Sequence, residues 1–205
     1  MPPLAVRRMP LSDYETVWKE MRAFCDSRGA DAADEMWLLQ HAPVYTLGQA
    51  GRAEYLLREN GIPLVRSDRG GQITYHGPGQ LVAYLMLDLR RRGWGARRLA
   101  RAIENAVIAL LAEYGIAAEG KPDAPGVYIR GAKIAALGLR IRRGCTYHGM
   151  SFNVDMDLSP FDDIAPCGFA GLRATQLADH AAAPPLSAVQ EDLARHLRLA
   201  LGVLQ

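Results

Sequence analysis

The stretch from residue 69 to residue 80 constrains the fold of this chain more than any other. Four glycines and a proline flank a short strand-like segment at residues 73–76, and an apolar run at residues 81–89 follows at once. Glycine lets a main chain approach a ligand closely and adopts dihedral angles that other residues avoid. The pattern predicts a turn–strand–turn surface on which an extended molecule can lie, and a plain hairpin with glycine turns is the alternative.

Hydrophobic periodicity along the chain predicts a mixture of strands and helices. The apolar run at residues 81–89 is typical of a central strand covered on both faces, and residues 96–114 carry the strongest helical pattern. Capping boxes that begin at Ser12 and Ser187 predict two more helices. The other predicted strands cover residues 4–9, 35–40, 44–47, 64–67, 126–130, 133–142 and 145–154.

The composition excludes several classes of protein. A chain of 205 residues without a linker predicts one domain, residues 1–205, and its 49% hydrophobic content suffices for a sizeable core. No apolar run approaches the ~18 residues of a membrane span and no signal sequence precedes the first strand, so we expect a soluble, cytoplasmic protein. A net charge of +2 is too small to indicate nucleic acid as a partner. Neither the cysteine spacing nor the histidine spacing predicts a metal site.

The three cysteines differ in their sequence surroundings. Cys25 lies on the apolar side of the first predicted helix, which favours a place in the core. Cys167 lies in a loop between a proline and a glycine, where a thiol is more accessible than in a regular element. An exposed thiol beside a cation is typical of a nucleophile, because the thiolate is the attacking species. For Cys167, a small core residue and a nucleophile both stay open.

Lysine is rare in this chain: of 24 basic residues only Lys19, Lys121 and Lys133 are lysines. Lysine can be tuned to lose its proton, whereas arginine stays charged. Strand alternation predicts that Lys133 heads the apolar face shared by Ala135 and Leu137, where desolvation would lower the pKa of an ammonium group. A lysine that extends to water at the end of the strand is the alternative.

The tetrapeptide Thr-Tyr-His-Gly occurs at residues 74–77 and again at residues 146–149, without similarity in the flanks. His76 lies in the glycine-rich stretch, which favours a role at a site. His148 alternates with Met150 and Phe152, which favours a core histidine with satisfied hydrogen bonds. A Cys–His hydrolase would require His76 to orient or deprotonate the nucleophile.

Taken together, these segments resemble the lipoyl(octanoyl) transferase family of lipoic acid biosynthesis. The match is carried by RGGQITYHGPGQ at residues 69–80, GAKIAALG at residues 131–138, and TYHGMSFNV at residues 146–154, which runs on to PCG at residues 166–168. HAPVYTLG at residues 41–48 is also similar to the family. The only slight departure within these motifs is Gln72, where aspartate is often expected.

The resemblance implies an α+β fold, a mixed sheet with packed helices similar to the catalytic domain of biotin and lipoate protein ligases. It implies an acyltransferase that moves an octanoyl group from octanoyl-acyl carrier protein to a lysine of lipoyl domains, the first step of endogenous protein lipoylation. The acceptors would be the lipoyl domains of 2-oxoacid dehydrogenases and the glycine cleavage H protein. No cofactor, metal, nucleic acid or membrane is implied.

The resemblance also implies roles for particular residues. Cys167 would carry the acyl group as a thioester intermediate, and Lys133 would lower the pKa of that cysteine. Tyr75, Leu137 and Met150 are expected to line an apolar slot of limited depth. The residues expected to hold the acyl chain are Arg69, Gly70, Gly71, Gln72, Ile73, Thr74, Tyr75, His76, Ala136, Leu137, Gly138, Gly149, Met150 and Ser151.

The sequence leaves other assignments open. The arginines at residues 90–92, 97–101 and 140–143 form either a solvated surface or a dock for an acidic protein. The alternative functions are an ATP-dependent lipoate or biotin ligase, a non-catalytic module that binds an acyl-protein, and a Cys–His thioesterase. A ligase would adenylate its acid, a binding module would show no turnover, and a thioesterase would use water as the acceptor.

Overall fold

The structure, a computed structural model, describes residues 4–165 and 173–203. The strands are β1 (Leu4–Ser12), β2 (Asp34–His41), β3 (Val44–Leu47), β4 (Leu64–Arg66), β5 (Ile73–His76), β6 (Gln80–Met86), β7 (Glu119–Gly120), β8 (Gly126–Ile129), β9 (Ala132–Arg142) and β10 (Cys145–Asn153). The helices are α1 (Tyr14–Ser27), α2 (Leu89–Arg92), α3 (Ala96–Glu113) and α4 (Leu186–Ala200), and short 3₁₀ turns occur at Ala53–Tyr55, Ser159–Asp163 and Leu177–Asp179.

The described strands form two sheets. The larger is mixed and has the order β1-β2-β6-β10-β9-β8-β7, and the smaller has the order β4-β3-β5. Helices α3 and α4 cover one face of the larger sheet and build the main core, while α1 covers the other face with a second cluster. This arrangement confirms the predicted α+β fold, although the sequence did not reveal the second sheet. None of the described helices is long and apolar enough to cross a membrane.

Strand β6 confirms the central strand predicted from the apolar run. Every residue of β6 is buried, and β2 and β10 flank it on either side. The strand ends at Met86, earlier than the run predicted, because Asp88 starts a short helix instead. The Asp88 carboxylate accepts hydrogen bonds from the amides of Arg90 and Arg91 and so caps α2.

Both capping-box predictions were wrong, although both helices exist. Ser12 is the last residue of β1, and its hydroxyl donates to Pro10 O at 2.8 Å. The N-cap of α1 is Asp13, whose carboxylate accepts from Thr16 N at 2.8 Å. Helix α4 begins after Pro185 without a side-chain cap.

A bulge in β9 decides which way Lys133 faces. Lys133 pairs with Tyr128 and Ala135 pairs with Val127, so Ile134 is an extra residue in β9. Simple alternation, which predicted Lys133 on the face of Ala135, was therefore wrong. Ala135 packs in the main core, whereas Lys133 shares the opposite face with residues 136 and 138.

A buried carboxylate binds three arginines. The Asp34 side chain is fully buried and binds Arg28 at 3.0 Å, Arg91 at 2.7 Å and Arg92 at 2.8 Å. Burial alone would raise the pKa of Asp34, but hydrogen bonds from the Asp88 amide, Arg92 and Arg28 outweigh it and lower the pKa. The Arg92 side chain is only 2% exposed. The expectation that residues 90–92 form an exposed basic group was therefore wrong for Arg92, while the Arg91 side chain is 22% exposed and that of Arg90 is 71% exposed.

Candidate active site

Lys133 borders a cavity of about 820 Å³. The cavity walls come from the glycine-rich stretch at residues 69–74, from strands β6, β9 and β10, and from the start of α3. This volume lies within the range of roughly 300–1,000 Å³ that is typical of small-molecule sites. The glycine-rich stretch, the pair of strands β9 and β10, and the start of α3 are far apart in sequence but meet around one cavity.

Small residues form the cavity floor where β9 and β10 pair. Gly138 lies opposite Gly149 and Ala136 lies opposite Ser151, so no bulky side chain rises from this part of the sheet. A Cβ atom at Gly138 would lie 3.1 Å from Arg69 Cδ, so the glycine-rich stretch lies close above it. The loop therefore rests on the sheet at Gly138, and the neighbouring small residues Ala136, Gly149 and Ser151 line the cavity.

Arg69 fixes the glycine-rich stretch above the sheet. Its side chain is buried and donates to Thr46 Oγ1 at 2.9 Å, to Gly70 O at 2.8 Å and to Gln72 O at 2.6 Å. The amide of Gly70 donates to Leu139 O at 3.0 Å and fastens the loop to β9. The cavity is therefore closed at the end near Leu139.

Lys133 lies toward the other end of the cavity, beside an aromatic ring. Its Nζ is 5.3 Å from the centroid of Tyr128, and Lys121 Nζ approaches the same ring at 4.3 Å. The Lys133 backbone donates to Arg173 O at 2.8 Å and accepts from Thr175 N at 3.0 Å. The segment that follows residue 172 thus runs directly beside the lysine.

The cysteines separate into two groups. Cys25 and Cys145 are buried in the cluster beneath α1, which confirms the core assignment of Cys25. Burial raises the pKa of Cys25 to about 12 and also raises the pKa of Cys145, so neither forms a thiolate near neutral pH. Cys167 falls within residues 166–172, outside the described residues, so its position relative to Lys133 stays a prediction. Within residues 4–165 and 173–203, no group of three His, Cys, Asp or Glu side chains is placed to hold a metal ion.

His76 is tied down on both ring nitrogens. Nδ1 lies 2.7 Å from Gln80 Oε1 and Nε2 lies 3.4 Å from Thr46 Oγ1. The ring also stacks on Tyr14, with 6.0 Å between centroids. Burial lowers the pKa of His76 to about 3, so the ring is neutral. These contacts indicate that His76 shapes the cavity wall.

His148 contradicts the expectation of a core histidine with satisfied hydrogen bonds. Its Nε2 lies 3.0 Å from Asp68 Oδ1, but Nδ1 is buried without a hydrogen-bond partner among the described residues. Its φ of 59° is left-handed, and the ring contacts Tyr84 and Tyr147, which belong to the cluster beneath α1. Met150, in contrast, faces the main core.

The cavity collects nearly all of the residues that the sequence predicted to hold an acyl chain. Tyr75 is the exception, because its ring packs against Tyr45 and Phe161 in the cluster of the smaller sheet. Leu137 and Met150 are cross-strand partners that also pack toward the main core. The predicted residues around the cavity are Lys133, Arg69, Gly70, Gly71, Gln72, Ile73, Thr74, His76, Ala136, Leu137, Gly138, Gly149, Met150 and Ser151.

Several cavity residues were not predicted from the sequence. The tyrosines are Tyr14, Tyr84 and Tyr128, and the basic residues are Arg97, Lys121 and Arg173. Tyr84 could have been found from the sequence, because it carries a polar hydroxyl inside the apolar run at residues 81–89. The others depend on contacts between distant segments, which no local pattern reveals.

Comparison with known proteins agrees with the motifs and the fold. Residues 13–198 match the family described as lipoyl protein ligase A/B catalytic domain. A protein from Pseudomonas syringae pv. syringae (strain B728a) named octanoyltransferase is 60% identical over 194 residues, covering 95% of this chain and 89% of that protein. The fold is similar to that of lipoate-protein ligase A bound with ATP, with a TM-score of 0.80, 18% identity, and coverage of 98% of this chain and 85% of that chain. It is also similar to biotin protein ligase from Aquifex aeolicus, with a TM-score of 0.56, 12% identity, and coverage of 98% and 69%.

This chain belongs to the lipoyl protein ligase A/B catalytic domain family. The resemblance to the lipoyl(octanoyl) transferases, drawn from three motifs, is confirmed by the identity to an octanoyltransferase. The predicted similarity to the biotin and lipoate ligase fold is confirmed as well.

Proposed function

We propose that this protein, as a single domain in the cytoplasm, transfers an octanoyl group from acyl carrier protein to a lysine of lipoyl domains, through a thioester on Cys167. The acceptors are the lipoyl domains of 2-oxoacid dehydrogenases and the glycine cleavage H protein. The observation that carries the proposal is the cavity, whose walls combine the three motifs of the family with Lys133 near one end. The high identity to an octanoyltransferase supports the type of reaction.

The first half of the reaction exchanges one thioester for another. The Cys167 thiolate attacks the carbonyl carbon of the octanoyl thioester, and the carrier thiol leaves with a proton from solvent or a nearby acid. One carbon–sulfur bond forms while another breaks, so the free-energy change is small and no ATP is needed. A protonated Lys133 favours the thiolate electrostatically.

The second half forms an amide. The amine of the acceptor lysine attacks the acyl-enzyme carbonyl, the Cys167 sulfur leaves, and the amine gives up one proton. A neutral Lys133 can accept that proton. The two roles require a side chain that is charged in one step and neutral in the next, which lysine can provide and arginine cannot.

Basic residues near the cavity support docking of an acidic carrier. Arg97, Lys121 and Arg173 line the cavity, and Arg101 is exposed one turn further along α3. An Arg97→Glu/Arg101→Glu variant should weaken binding of octanoyl-carrier protein, more at low salt than at high salt. Arg90→Glu is the matched control, because its side chain is 71% exposed but does not border the cavity. Equal losses of carrier binding in both variants would indicate that the carrier docks on another surface.

Intact-protein mass spectrometry after incubation with octanoyl-carrier protein tests the acyl-enzyme. We expect one octanoyl increment that maps to Cys167, is absent in Cys167→Ala, and is retained in the matched control Cys145→Ala. Transfer that requires ATP would instead indicate a ligase, and release of free octanoate without acceptor modification would indicate a thioesterase. Carrier binding without any increment or transfer would indicate a passive binding module.

Lys133→Arg tests the proton transfer, and Lys121→Arg is its control on the same tyrosine ring. Both substitutions keep the positive charge near Tyr128. We expect Lys133→Arg to lose most transfer activity and Lys121→Arg to keep most of it, measured as octanoylation of a lipoyl domain. Normal turnover by Lys133→Arg would reduce Lys133 to an electrostatic or packing role.

A further inference from the structure

His148 lines the closed end of the cavity, and one of its ring nitrogens has no hydrogen-bond partner among the described residues. His148 is 1% exposed and lines the cavity. Its Nε2 faces Asp68, so a neutral ring places its proton on Nε2 and leaves Nδ1 as an acceptor. Nδ1 has no hydrogen-bond partner within the described part of the chain.

Several contacts hold this arrangement in place. Asp68 also accepts from the indole of Trp18 at 2.8 Å and from the hydroxyl of Tyr147. Burial alone would raise the pKa of Asp68, but hydrogen bonds from His148, Tyr147 and Trp18 hold it well below its usual range. Burial lowers the pKa of His148, which keeps its ring neutral.

The backbone supports a specific role for this side chain. His148 has a φ of 59°, a left-handed conformation that costs free energy in a residue other than glycine. With regular alternation its ring would join Met150 in the main core. The left-handed turn instead sets the ring beside Tyr84, at the cavity.

The distance from Lys133 to this end matches an eight-carbon chain. A Cβ atom at Gly126 would lie 3.2 Å from Lys133 Cε, and Gly126 pairs with Ala136, so the lysine side chain reaches the level of Ala136. From there to Leu139, the partner of His148, β9 advances three residues, roughly 10 Å. The seven carbon–carbon bonds of an extended octanoyl chain span roughly 9 Å, because each bond of about 1.5 Å advances the zigzag by only about 1.25 Å.

We propose that His148, held by Asp68, limits the acyl chain to eight carbons by ending the apolar channel with an acceptor that a methyl group cannot satisfy. An octanoyl chain stops short of Nδ1. A longer chain must press its alkyl end against the nitrogen and keep water from bonding to it, and a buried acceptor with neither a partner nor water is unfavourable. His148 is thus a specificity-determining residue of the proposed octanoyl transfer, on which this inference rests.

The test compares kcat/KM for octanoyl-, decanoyl- and dodecanoyl-carrier protein. In His148→Leu, which removes the acceptor, we expect the ratio of decanoyl to octanoyl transfer to rise roughly tenfold. Tyr147→Phe is the matched control: it removes another partner of Asp68 but keeps Nδ1, and its ratio should equal that of the wild type. An unchanged ratio in a His148→Leu protein that still transfers octanoate overturns the inference.

A second test needs no variant and so does not depend on folding of His148→Leu. In the wild type, a ten-carbon chain with a terminal hydroxyl can donate to Nδ1, and we expect faster transfer of it than of decanoate. Equal or slower transfer would count against the inference. If the wild type transfers no octanoate at all, the proposed function fails, whereas normal octanoyl transfer with unmoved selectivity refutes only the role of His148.

Discussion

The tetrapeptide Thr-Tyr-His-Gly occurs on β5 and again on β10, and the two copies use the same residues differently. His76 engages both ring nitrogens, with Gln80 and Thr46. His148 engages only Nε2, with Asp68, and leaves Nδ1 without a partner among the described residues. Both histidines border the cavity, but only His148 keeps a ring nitrogen that no described residue engages.

The tyrosines and glycines of the two copies also differ. Tyr75 packs its ring into the cluster of the smaller sheet, whereas the Tyr147 hydroxyl donates to Asp68. A side chain at Gly77 would overlap the Tyr75 ring, whereas one at Gly149 would overlap the main-chain oxygen of Ala83. The environment that other segments provide, and not the local sequence, therefore decides what each copy does.

Replacing the glycine of each copy should give the largest difference between the copies in the free energy of unfolding. In Gly149→Ala the new Cβ meets the backbone of the central strand β6, which cannot move without loss of pairing. We expect a loss of about 3 kcal/mol in the free energy of unfolding. In Gly77→Ala the new Cβ meets the end of a tyrosine side chain, which can shift, so the loss should be about 1 kcal/mol. Urea unfolding followed by circular dichroism measures both, and a larger loss in Gly77→Ala would contradict the comparison.

Acid stability should separate the two histidines. Burial lowers the pKa of His76 to about 3, against about 6.5 in the unfolded chain. Below pH 6.5 the unfolded state binds the extra proton, so this contribution to stability is full above pH 6.5 and falls by up to about 1.4 kcal/mol per pH unit. His76→Leu should remove most of that slope between pH 6.5 and pH 5.

His148→Leu is the matched variant for this measurement. Burial lowers the pKa of His148, but the neighbouring Asp68 raises it and so offsets part of the shift. We expect His148→Leu to change the slope less than His76→Leu. His41, whose pKa burial lowers to about 4, is kept in both variants, so the slope does not vanish in either. Equal slope changes would show that the two histidines have equivalent surroundings.

Local sequence was sufficient for the parts of the fold that depend on local periodicity. Helix α3 and strand β6 follow from an apolar stripe and an apolar run, which lie close to the observed bounds. The bulge at Ile134 could not be predicted, because β8 sets the pairing register. The same limit applies to Arg91 and Arg92, which bind a buried carboxylate more than fifty residues away in sequence.

The candidate site also contains parts that the sequence could predict and parts that it could not. The glycine-rich stretch identified itself through residues 69–76, because close approach of backbone to ligand leaves a local signature. The pairing of Asp68 with His148 spans 80 residues and depends on a left-handed residue in a strand, which periodicity cannot foresee. The repeated tetrapeptide, which has no similarity in its flanks, did not indicate how the two segments differ.

Removing single hydroxyl groups should give the smallest difference between the copies. Tyr147→Phe deletes a donor to the ionised Asp68, whose side chain is 27% exposed to water. Because water can replace part of that hydrogen bond, we expect a loss of about 1 kcal/mol in the free energy of unfolding. Tyr75→Phe keeps the ring contacts with Tyr45 and Phe161, so its loss should stay below about 0.5 kcal/mol. Urea unfolding at pH 7 measures both, and a larger loss for Tyr75→Phe would mean that the first copy, and not the second, depends on its tyrosine hydroxyl.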